Sequence, residues 1–523
     1  MNHNERPERP VRSVPVTVLP GTAVRRLRAR FLDPTTAVRL EGQELEPTAY
    51  VGDVLLVPGL LGRSADRGVG ALESAAKILG YAVVPESDDS LVGFATEHKL
   101  LDALDKVGHT VVRLIPMAGR GDASPLAPAD AWAVLQAARA LDQGAVAGVG
   151  LAHVMTASGW GQGVGWGQGV GWGQGVGWGQ GVGWGQGVGW GQSVGFGPSE
   201  RIPVVWSAPP PAHEEGGPVV ATLDTGLGQH EWFDGDRAER LPEPLHMPPE
   251  TDGVTIDLVN YVLDPLAGHG TFIAGVVRQH CPDVRILSVP VMWGDGAADE
   301  IDVVHALTGL HLRQSLALSP GGDPGQAIDV ITLSLGYRHE TPGAFDDEEA
   351  LFRVLRGLAE LGVTIVAAVG NDSSDVEFFP AAYAAQVTTG APMVSVGALN
   401  PDRRTVSVYS NTGPWVQTYA TATSIVSTMP TTFNGSRRSE LLHQSNPSVL
   451  PAVPTRGAAD SDDYSSGFGL WSGTSFAAPA LAGEIAQALG SDRSADADER
   501  SARARDIVAA RLSATTKTLE EEK

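Results

Sequence analysis

Hydrophobic and polar positions follow two patterns along this chain. Between residues 16 and 155, short apolar runs bounded by Gly, Pro and Asp alternate with stretches whose apolar residues recur at i, i+3 and i+4. This combination predicts a small α/β region, preceded by a disordered arm at 1–15 that is rich in Arg, Pro and Asn. The predicted strands are 14–19, 36–40, 53–59, 81–86 and 109–117, and the predicted helices are 71–80, 97–108 and 128–142. No pattern in this region points to site chemistry.

A second pattern extends from about residue 201 to residue 490. Apolar strands alternate with amphipathic helices, which is typical of βαβ units and predicts a doubly wound parallel sheet with flanking helices. The predicted strands are 217–226, 284–292, 327–336, 363–372 and 392–399, and the predicted helices are 268–280, 299–316 and 348–362. A proline- and serine-rich stretch at 430–466 predicts a long surface loop. The charged tail, 491–523, fits either an exposed helix or a disordered segment.

An internal repeat, GWGQGV, separates the two regions at 156–200. Tryptophan recurs every six residues from Trp160 to Trp190, and Phe196 takes the next place. Glycine at every second position makes ordering costly, which favours a flexible linker. An even period would also put all the aromatic rings on one face of an extended strand. Two interpretations therefore stay open: a linker, or an aromatic ladder that binds a partner or another surface of the protein.

Composition narrows the choice of partners more than the choice of fold. Of the 523 residues, 42% are hydrophobic and 19% are charged, as in globular proteins. The net charge of −24 speaks against nucleic acid and against anionic membranes as partners. The single cysteine, Cys281, allows no internal disulfide, and the sequence shows neither a secretory signal nor an apolar run long enough for a membrane span. We therefore expect a cytoplasmic protein.

Four polar residues stand at predicted strand ends or at the helix starts that follow them, namely Asp224, His269, Asn371 and Ser475. In an open parallel sheet such positions line one crevice. Serine needs a base to become a nucleophile, and histidine has the pKa for that role near neutral pH. A carboxylate then orients the imidazole, and an amide can stabilise an oxyanion. Taken alone, Ser475 is better explained as a helix N-cap, so the inference rests on the four residues together.

The motifs around these residues resemble those of the subtilisin-like serine peptidases, or subtilases. In chain order they are ATLDTG (221–226), GHGTFIAGVV (268–277), VITLSLG (330–336), IVAAVGND (365–372) and SGTSFAAPALAG (472–483). The order Asp, His, Ser is also that of the family. The resemblance covers about 215–490 and implies a subtilisin-like fold. It further implies peptide-bond hydrolysis by Asp224, His269 and Ser475, with an oxyanion bond from Asn371.

The same resemblance indicates where a substrate would bind. The segment VITLSLG is similar to the strand that binds the substrate backbone. The implied walls of the pocket for the residue before the scissile bond are Ser334, Leu335, Gly336, Ala367 and Gly370. The acidic residues nearby, Asp372, Asp375 and Glu377, either favour a basic residue in that pocket or form a solvated loop. The family needs no cofactor for catalysis. It commonly binds structural calcium, for which no site can be named from this sequence.

Two alternatives stand beside the peptidase. Serine-carboxyl peptidases share the Gly-Thr-Ser turn, but they use a glutamate where this chain has His269. A latent or non-catalytic scaffold would arise if the N-terminal region blocked the cleft. That region has the size and α/β character of a pro-region or regulatory module, so we expect it to dock and control access, and whether it is cut off stays open. The expected partners are a polypeptide substrate and a protein bound by the repeat or by the N-terminal region.

Overall fold

Three β-sheets organise the residues that the computed structural model describes, which are 19–117, 128–157, 201–206, 208–241, 250, 253, 263–433, 463–491 and 494–520. None of the helices in these ranges combines the length and the apolar character that crossing a membrane requires. The predicted disordered arm lies outside these ranges, as do most of the hexapeptide repeat and most of the loop predicted at 430–466.

The N-terminal region forms an antiparallel sheet with helices packed on it. Its elements are α1 (Gly21–Arg26), β1 (Ala29–Leu32), β2 (Thr48–Pro58), α2 (Asp66–Ile78), β3 (Tyr81–Glu86), α3 (Asp89–Glu97), α4 (Leu101–Val107), β4 (His109–Pro116), α5 (Ala131–Asp142) and β5 (Gly150–Ala157). The strand order is β5-β2-β4-β3, and β1 pairs with part of β2. Leu72 of α2 and Leu135 of α5 are buried with Leu55 and Val112 of the sheet, so this region has a hydrophobic core of its own.

The N-terminal region differs from the sequence prediction in several places. Elements α1, β1 and α3 are missing from the prediction, and β2 begins at Thr48 rather than at residue 53. Residues 36–40 form no strand, and the Val38 carbonyl accepts a hydrogen bond from the Trp132 indole at 2.8 Å. The single helix predicted at 97–108 is interrupted, because Lys99 adopts a left-handed φ of 60° between α3 and α4. The strand β5 is missing from the prediction, although GLAHVMTA is an apolar run that starts at a glycine.

From residue 201 the chain builds a parallel sheet. Its elements and those around it are β6 (Ile202–Pro203), β7 (Val219–Asp224), β8 (Ala238–Arg240), α6 (His269–His280), β9 (Arg285–Pro290), β10 (Ala297–Asp299), α7 (Glu300–Leu318), β11 (Val330–Leu333), β12 (Leu335–Gly336), α8 (Ala350–Glu360), β13 (Thr364–Ala368), β14 (Met393–Leu399), β15 (Thr418–Thr421), β16 (Ile425–Thr428), β17 (Phe468–Trp471), α9 (Thr474–Leu489) and α10 (Ala497–Glu520). The order β15-β14-β13-β11-β7-β9-β8 is parallel throughout, and β16, β17 and β6 form a small antiparallel sheet. The predicted parallel sheet with flanking helices is confirmed.

The central strands of this sheet are buried along their whole length. Every residue of β7 and of β13 is buried, as expected for strands covered on both faces. Helices α6 and α9 pack against each other and against the sheet, while α7 and α8 form a second pair. The carboxyl ends of β7, β11 and β13 therefore meet at one edge, beside the start of α9.

The two regions share strands. Strand β5 of the N-terminal region lies between β10 and β12 and is antiparallel to both. The segment predicted as one strand at 327–336 is divided, because β11 joins the parallel sheet and β12 bonds to β5 instead. The domain boundaries predicted near residues 155, 200 and 490 stay predictions.

The C-terminal tail is helical in its described part and is packed on the fold. The Arg500 guanidinium of α10 donates to the Ile328 carbonyl at 2.5 Å and to Asp329 Oδ1 at 2.9 Å. The other carboxylate oxygen, Asp329 Oδ2, accepts from the Val219 N–H at 2.8 Å. Ala504 of the same helix is buried. Helix α10 is thereby fixed to the starts of β11 and β7.

Candidate active site

Asp224 and His269 are brought together by the two elements that carry them. Asp224 is the last residue of β7, and His269 is the first residue of α6, directly after Gly268 in a left-handed conformation (φ 84°). His269 Nδ1 lies 2.7 Å from Asp224 Oδ1, and both side chains are buried. A carboxylate at Nδ1 favours the tautomer that carries its proton there, which leaves Nε2 able to accept a proton.

Ser475 lies beside this pair, in the first turn of α9. Trp471 lies four residues before the serine and Phe476 directly follows it. The centroids of these two rings are 5.3 Å and 5.5 Å from that of the His269 ring. The imidazole therefore sits against the turn that holds Ser475. The Ser334 hydroxyl, at the end of β11, donates to the Ser475 carbonyl at 2.8 Å and fixes the turn from the other side. The first N–H groups of α9 have no acceptor within the helix, so they favour negative charge nearby.

Asn371 follows β13 and is oriented by the same turn. Its Oδ1 accepts a hydrogen bond from the Thr474 N–H at 2.9 Å. Asn371 Nδ2 is left as a donor, and it is buried and has no hydrogen-bond partner within the described part of the chain. Ser475 Oγ, His269 Nε2, Asp224 Oδ2 and Thr474 Oγ1 are likewise buried without a partner there. Buried polar atoms are nearly always satisfied, so five such atoms at one sheet edge need an explanation.

Glu250 is a site residue that the sequence prediction misses. Its Oε1 accepts from the Thr225 hydroxyl at 2.6 Å and from the Gly268 N–H at 2.7 Å, and its Oε2 accepts from the Thr271 hydroxyl at 2.9 Å. It therefore ties the turn after Asp224 to the start of α6. Burial raises the pKa of this carboxyl to about 7, because these hydrogen bonds only partly offset the loss of water. No periodicity or motif in the proline-rich stretch around Glu250 would have revealed it.

The predicted substrate pocket contains a second residue that the sequence prediction misses. Gly336 and Gly370 face the ring of Phe378: a Cβ added at Gly336 would lie 2.5 Å from Phe378 Cε1, and one added at Gly370 would lie 3.3 Å from Phe378 Cδ1. The phenyl ring thus fills space between two of the predicted walls. Of the other predicted wall residues, Ala367 lies in β13, Ser334 follows β11, and Leu335 pairs with β5.

The acidic residues near the pocket are not simply solvated. The Asp372 carboxylate forms an ion pair with Arg338 at 2.6 Å, and the Arg338 side chain is buried. A carboxylate that is already paired with an arginine is a poor partner for a basic substrate residue, so the pocket gains little basic preference from Asp372. Within the described residues, no group of three or more His, Cys, Asp or Glu is placed to hold a metal ion. Calcium binding stays a prediction.

Comparison with known proteins identifies the family. The sequence profile of the Subtilase family matches residues 215–520, which is more than half of the chain. The chain belongs to the subtilase family. This subtilase is 30% identical over 228 residues to a thermophilic serine proteinase of Bacillus sp. (strain AK1), covering 41% of this chain and 46% of that protein. It is 28% identical over 183 residues to the subtilase-type proteinase RRT12 of Saccharomyces cerevisiae, covering 34% of each. The chain thus spans less than half the length of either relative.

Three proteases are among the solved structures to which this chain is similar. A cold adapted subtilisin-like serine proteinase is 24% identical, with a TM-score of 0.32, and the match covers 55% of this chain and 82% of that one. A lanthipeptide protease is 20% identical, with a TM-score of 0.35 and coverage of 56% and 79%. Fervidolysin from Fervidobacterium pennivorans, a keratinolytic enzyme related to subtilisin, is 15% identical, with a TM-score of 0.41 and coverage of 87% and 56%.

Proposed function

We propose that this subtilase is a serine endopeptidase whose catalytic groups are Ser475, His269 and Asp224. The observation that carries the proposal is a set of three among the buried, unpartnered polar atoms at this sheet edge, Ser475 Oγ, His269 Nε2 and Asn371 Nδ2. Each belongs to a side chain or turn that is fixed from its other side. These are the atoms that a peptide carbonyl would engage during acyl transfer.

In the proposed reaction, Ser475 Oγ attacks the peptide carbonyl while His269 Nε2 takes the hydroxyl proton. Asp224, bonded to Nδ1, stabilises the imidazolium that forms. Asn371 Nδ2 and the Ser475 N–H donate to the oxyanion. The imidazolium then gives its proton to the leaving amine, and an acyl-enzyme remains on Ser475. Water attacks the acyl-enzyme by the same route in reverse order and restores the serine.

The N-terminal region is proposed to control access by occupying the substrate strand position. Strand β5 is antiparallel to β12, with Leu335 opposite Ala157 and Gly336 opposite Thr156. On its other side, the Ala157 N–H donates to the Gly296 carbonyl at 2.9 Å. An extended substrate adding a strand at this place would form the same main-chain bonds. A docked β5 and a bound substrate therefore exclude each other.

The Phe378 ring favours a small residue before the cleaved bond. It lies against the glycine walls of the predicted pocket and leaves less room for a large apolar side chain. Asp372 gives the pocket little preference for a basic residue, because its carboxylate is already paired with Arg338. We therefore expect alanine or serine to be preferred there over phenylalanine or lysine.

A fluorophosphonate probe tests the proposed chemistry, because it reacts with an activated serine. We expect weak labelling of the full chain, strong labelling after removal of residues 1–200, and none of either form when Ser475→Ala is introduced. A Ser472→Ala variant in the same turn is the matched control and should still be labelled. Absence of labelling in a folded, trimmed chain would refute the peptidase.

The second candidate function, a latent or non-catalytic scaffold, is favoured by the occupied strand position of β5. The same labelling experiment separates the two candidates. A scaffold would stay unlabelled both with and without its N-terminal region. A peptidase controlled by that region would be labelled once the region is removed.

A further inference from the structure

Strand β5 carries one histidine into a buried group of carboxylates. His153 Nδ1 lies 2.6 Å from Glu300 Oε2, and His153 Nε2 lies 2.8 Å from Glu340 Oε2. The backbone N–H of His153 also donates to Glu300 Oε2, at 2.8 Å. All three side chains are at least nine-tenths buried. Both ring nitrogens face carboxylate oxygens, which is the arrangement of an imidazolium rather than of a neutral ring.

Two other basic groups act on this cluster, His339 and Arg139, and both act on Glu340. Glu349, at the start of α8, is paired with His339 at 2.9 Å, and His339 lies 3.7 Å from Glu340. Tyr337 stacks on the His153 ring with centroids 4.1 Å apart. The tyrosines around His153 are neutral: Tyr383 shares a hydrogen bond with the Tyr337 hydroxyl, and Tyr50 lies opposite His153 on β2. Arg139 of α5 is a more distant cation that acts on Glu340. Three carboxylates thus share two imidazoles.

The carboxylates and the cation come from different regions of the chain. Glu300 begins α7 directly after β10, and Glu340 follows β12, so both flank the position that β5 occupies. His153 belongs to the occupying strand. If β5 leaves and a substrate takes its place, Glu300 and Glu340 lose the His153 imidazole, and the substrate strand covers them again. Glu340 then keeps the more distant His339, at 3.7 Å. Buried carboxylates without a counter-ion are costly.

We propose that Glu300 and Glu340 form a subsite for a cationic side chain of the bound peptide, which His153 fills in the full chain. A guanidinium, an ammonium or an imidazolium would satisfy both carboxylates, and the Tyr337 ring offers a face on which a guanidinium or imidazolium can stack. We assign the residue opposite Leu335 to the second position before the cleaved bond. His153 lies four residues before that residue in β5 and so takes the sixth position. This count rests on the proposed peptidase function, whereas the preference for a cation does not.

The test of the subsite uses the full chain with Ser475→Ala, so that no cleavage interferes. Hydrogen exchange of the β5 amides reports docking, and exchange of the β11 and β13 amides reports that the parallel sheet is folded. His153→Lys and His153→Arg should keep the slow exchange of β5 within about threefold, since they supply a cation. His153→Gln can form hydrogen bonds but carries no charge, so β5 should exchange at least about 30-fold faster, because a buried charge has lost its partner.

Neutralising both carboxylates provides a second comparison of the His153 variants. In a Glu300→Gln, Glu340→Gln background the order should invert, with His153→Gln docking better than His153→Lys. His109 supplies the matched control, since burial lowers the pKa of this N-terminal histidine to about 4 and it carries no charge at neutral pH. At that position glutamine should be tolerated better than lysine. If His153→Gln protects β5 as well as His153→Lys does, or if the order does not invert, the subsite is refuted.

Peptide cleavage by the trimmed chain provides the second arm. Peptides with lysine at the sixth position should be cleaved about tenfold more efficiently than peptides with methionine there, and Glu300→Gln with Glu340→Gln should abolish the difference. Equal cleavage would overturn the substrate preference. Cleavage of neither peptide would instead count against the proposed peptidase, and the exchange experiment would still decide whether the subsite selects a cation.

Discussion

The two large sheets of this protein contribute differently to the proposed site. The parallel sheet is built from buried apolar strands joined by helices, and its strand ends carry Asp224, Asn371 and the turn that precedes Ser475. The antiparallel sheet takes strands from residues 29 to 336, and its strand β5 bridges the two regions. The proposed catalytic groups thus lie on a locally connected sheet, whereas the proposed control of access depends on a non-local pairing. Changes in one sheet should therefore be separable from changes in the other.

The largest effect is expected from a change confined to the catalytic edge of the parallel sheet. Asp224→Asn removes the negative charge that orients His269 and favours the wrong tautomer. We expect kcat to fall by about 10⁴-fold in the trimmed chain. Peptide hydrolysis measures the loss, and hydrogen exchange of β5 in the full chain should be unchanged. Unequal exchange would mean that the two sheets are coupled more tightly than their contacts suggest.

The next effect concerns the oxyanion donor. Asn371→Leu has a similar size but no donor, so kcat should fall by about 10²–10³-fold while KM changes little, because the bond strengthens only as the oxyanion forms. Loss of the acceptor for the Thr474 N–H is a second consequence of this substitution. Asn371→Asp serves as the control, since it keeps that acceptor but lacks the amide donor. A normal kcat in both variants would remove Asn371 from the mechanism.

A smaller effect is expected where the two sheets meet, at the pocket. Phe378→Ala removes the ring that lies against Gly336 and Gly370. The ratio of kcat/KM for a peptide with phenylalanine before the cleaved bond to that for alanine should rise by about tenfold or more. Phe379→Ala changes a neighbouring buried ring and should leave the ratio unaltered. An unchanged ratio in Phe378→Ala would show that another side chain sets the pocket size.

The smallest expected effect concerns the antiparallel sheet and is a pH dependence of the melting temperature. Burial alone would lower the pKa of His153, but Glu300 and Glu340 outweigh it and raise the pKa to about 10. A pKa raised above the unfolded value of about 6.5 gives stability that is fully present below pH ~6.5 and is lost as the pH rises through ~10. Below neutral pH, the full chain should therefore melt about 5 °C higher than His153→Gln. This difference in melting temperature should disappear as the pH approaches 10. A difference that does not change with pH would contradict a charged His153.

The sequence predicts the parallel sheet and the positions of its four polar residues because both depend on local order. Each of Asp224, His269, Asn371 and Ser475 stands at a strand end or a helix start that can be recognised from its own neighbours. The roles assigned to these residues stay predictions until activity is measured. The segment 327–336 shows where prediction from local sequence fails. Nothing in its sequence marks the point where β11, which pairs with β13, ends and β12, which pairs with β5, begins.

Residues that act through distant partners could not be predicted. Glu250 lies in a stretch without periodicity, and its role comes from Thr225, Gly268 and Thr271 converging on it in space. His153 looks like an ordinary strand residue until Glu300 and Glu340 arrive from segments about 150 and 190 residues further along the chain. Burial and pairing of this kind are properties of the folded chain, and no spacing in the sequence encodes them.

The contacts of Asp329 link helix α10 to the strand that ends at Asp224, the proposed catalytic carboxylate. One oxygen of Asp329 holds Arg500 of the last helix, and the other holds the first residue of β7, whose last residue is Asp224. Strand β7 is therefore supported by α10 at its first residue and carries the proposed catalytic carboxylate at its last. Removing α10 would take away this support, so the helix stabilises the proposed site indirectly, through Asp329.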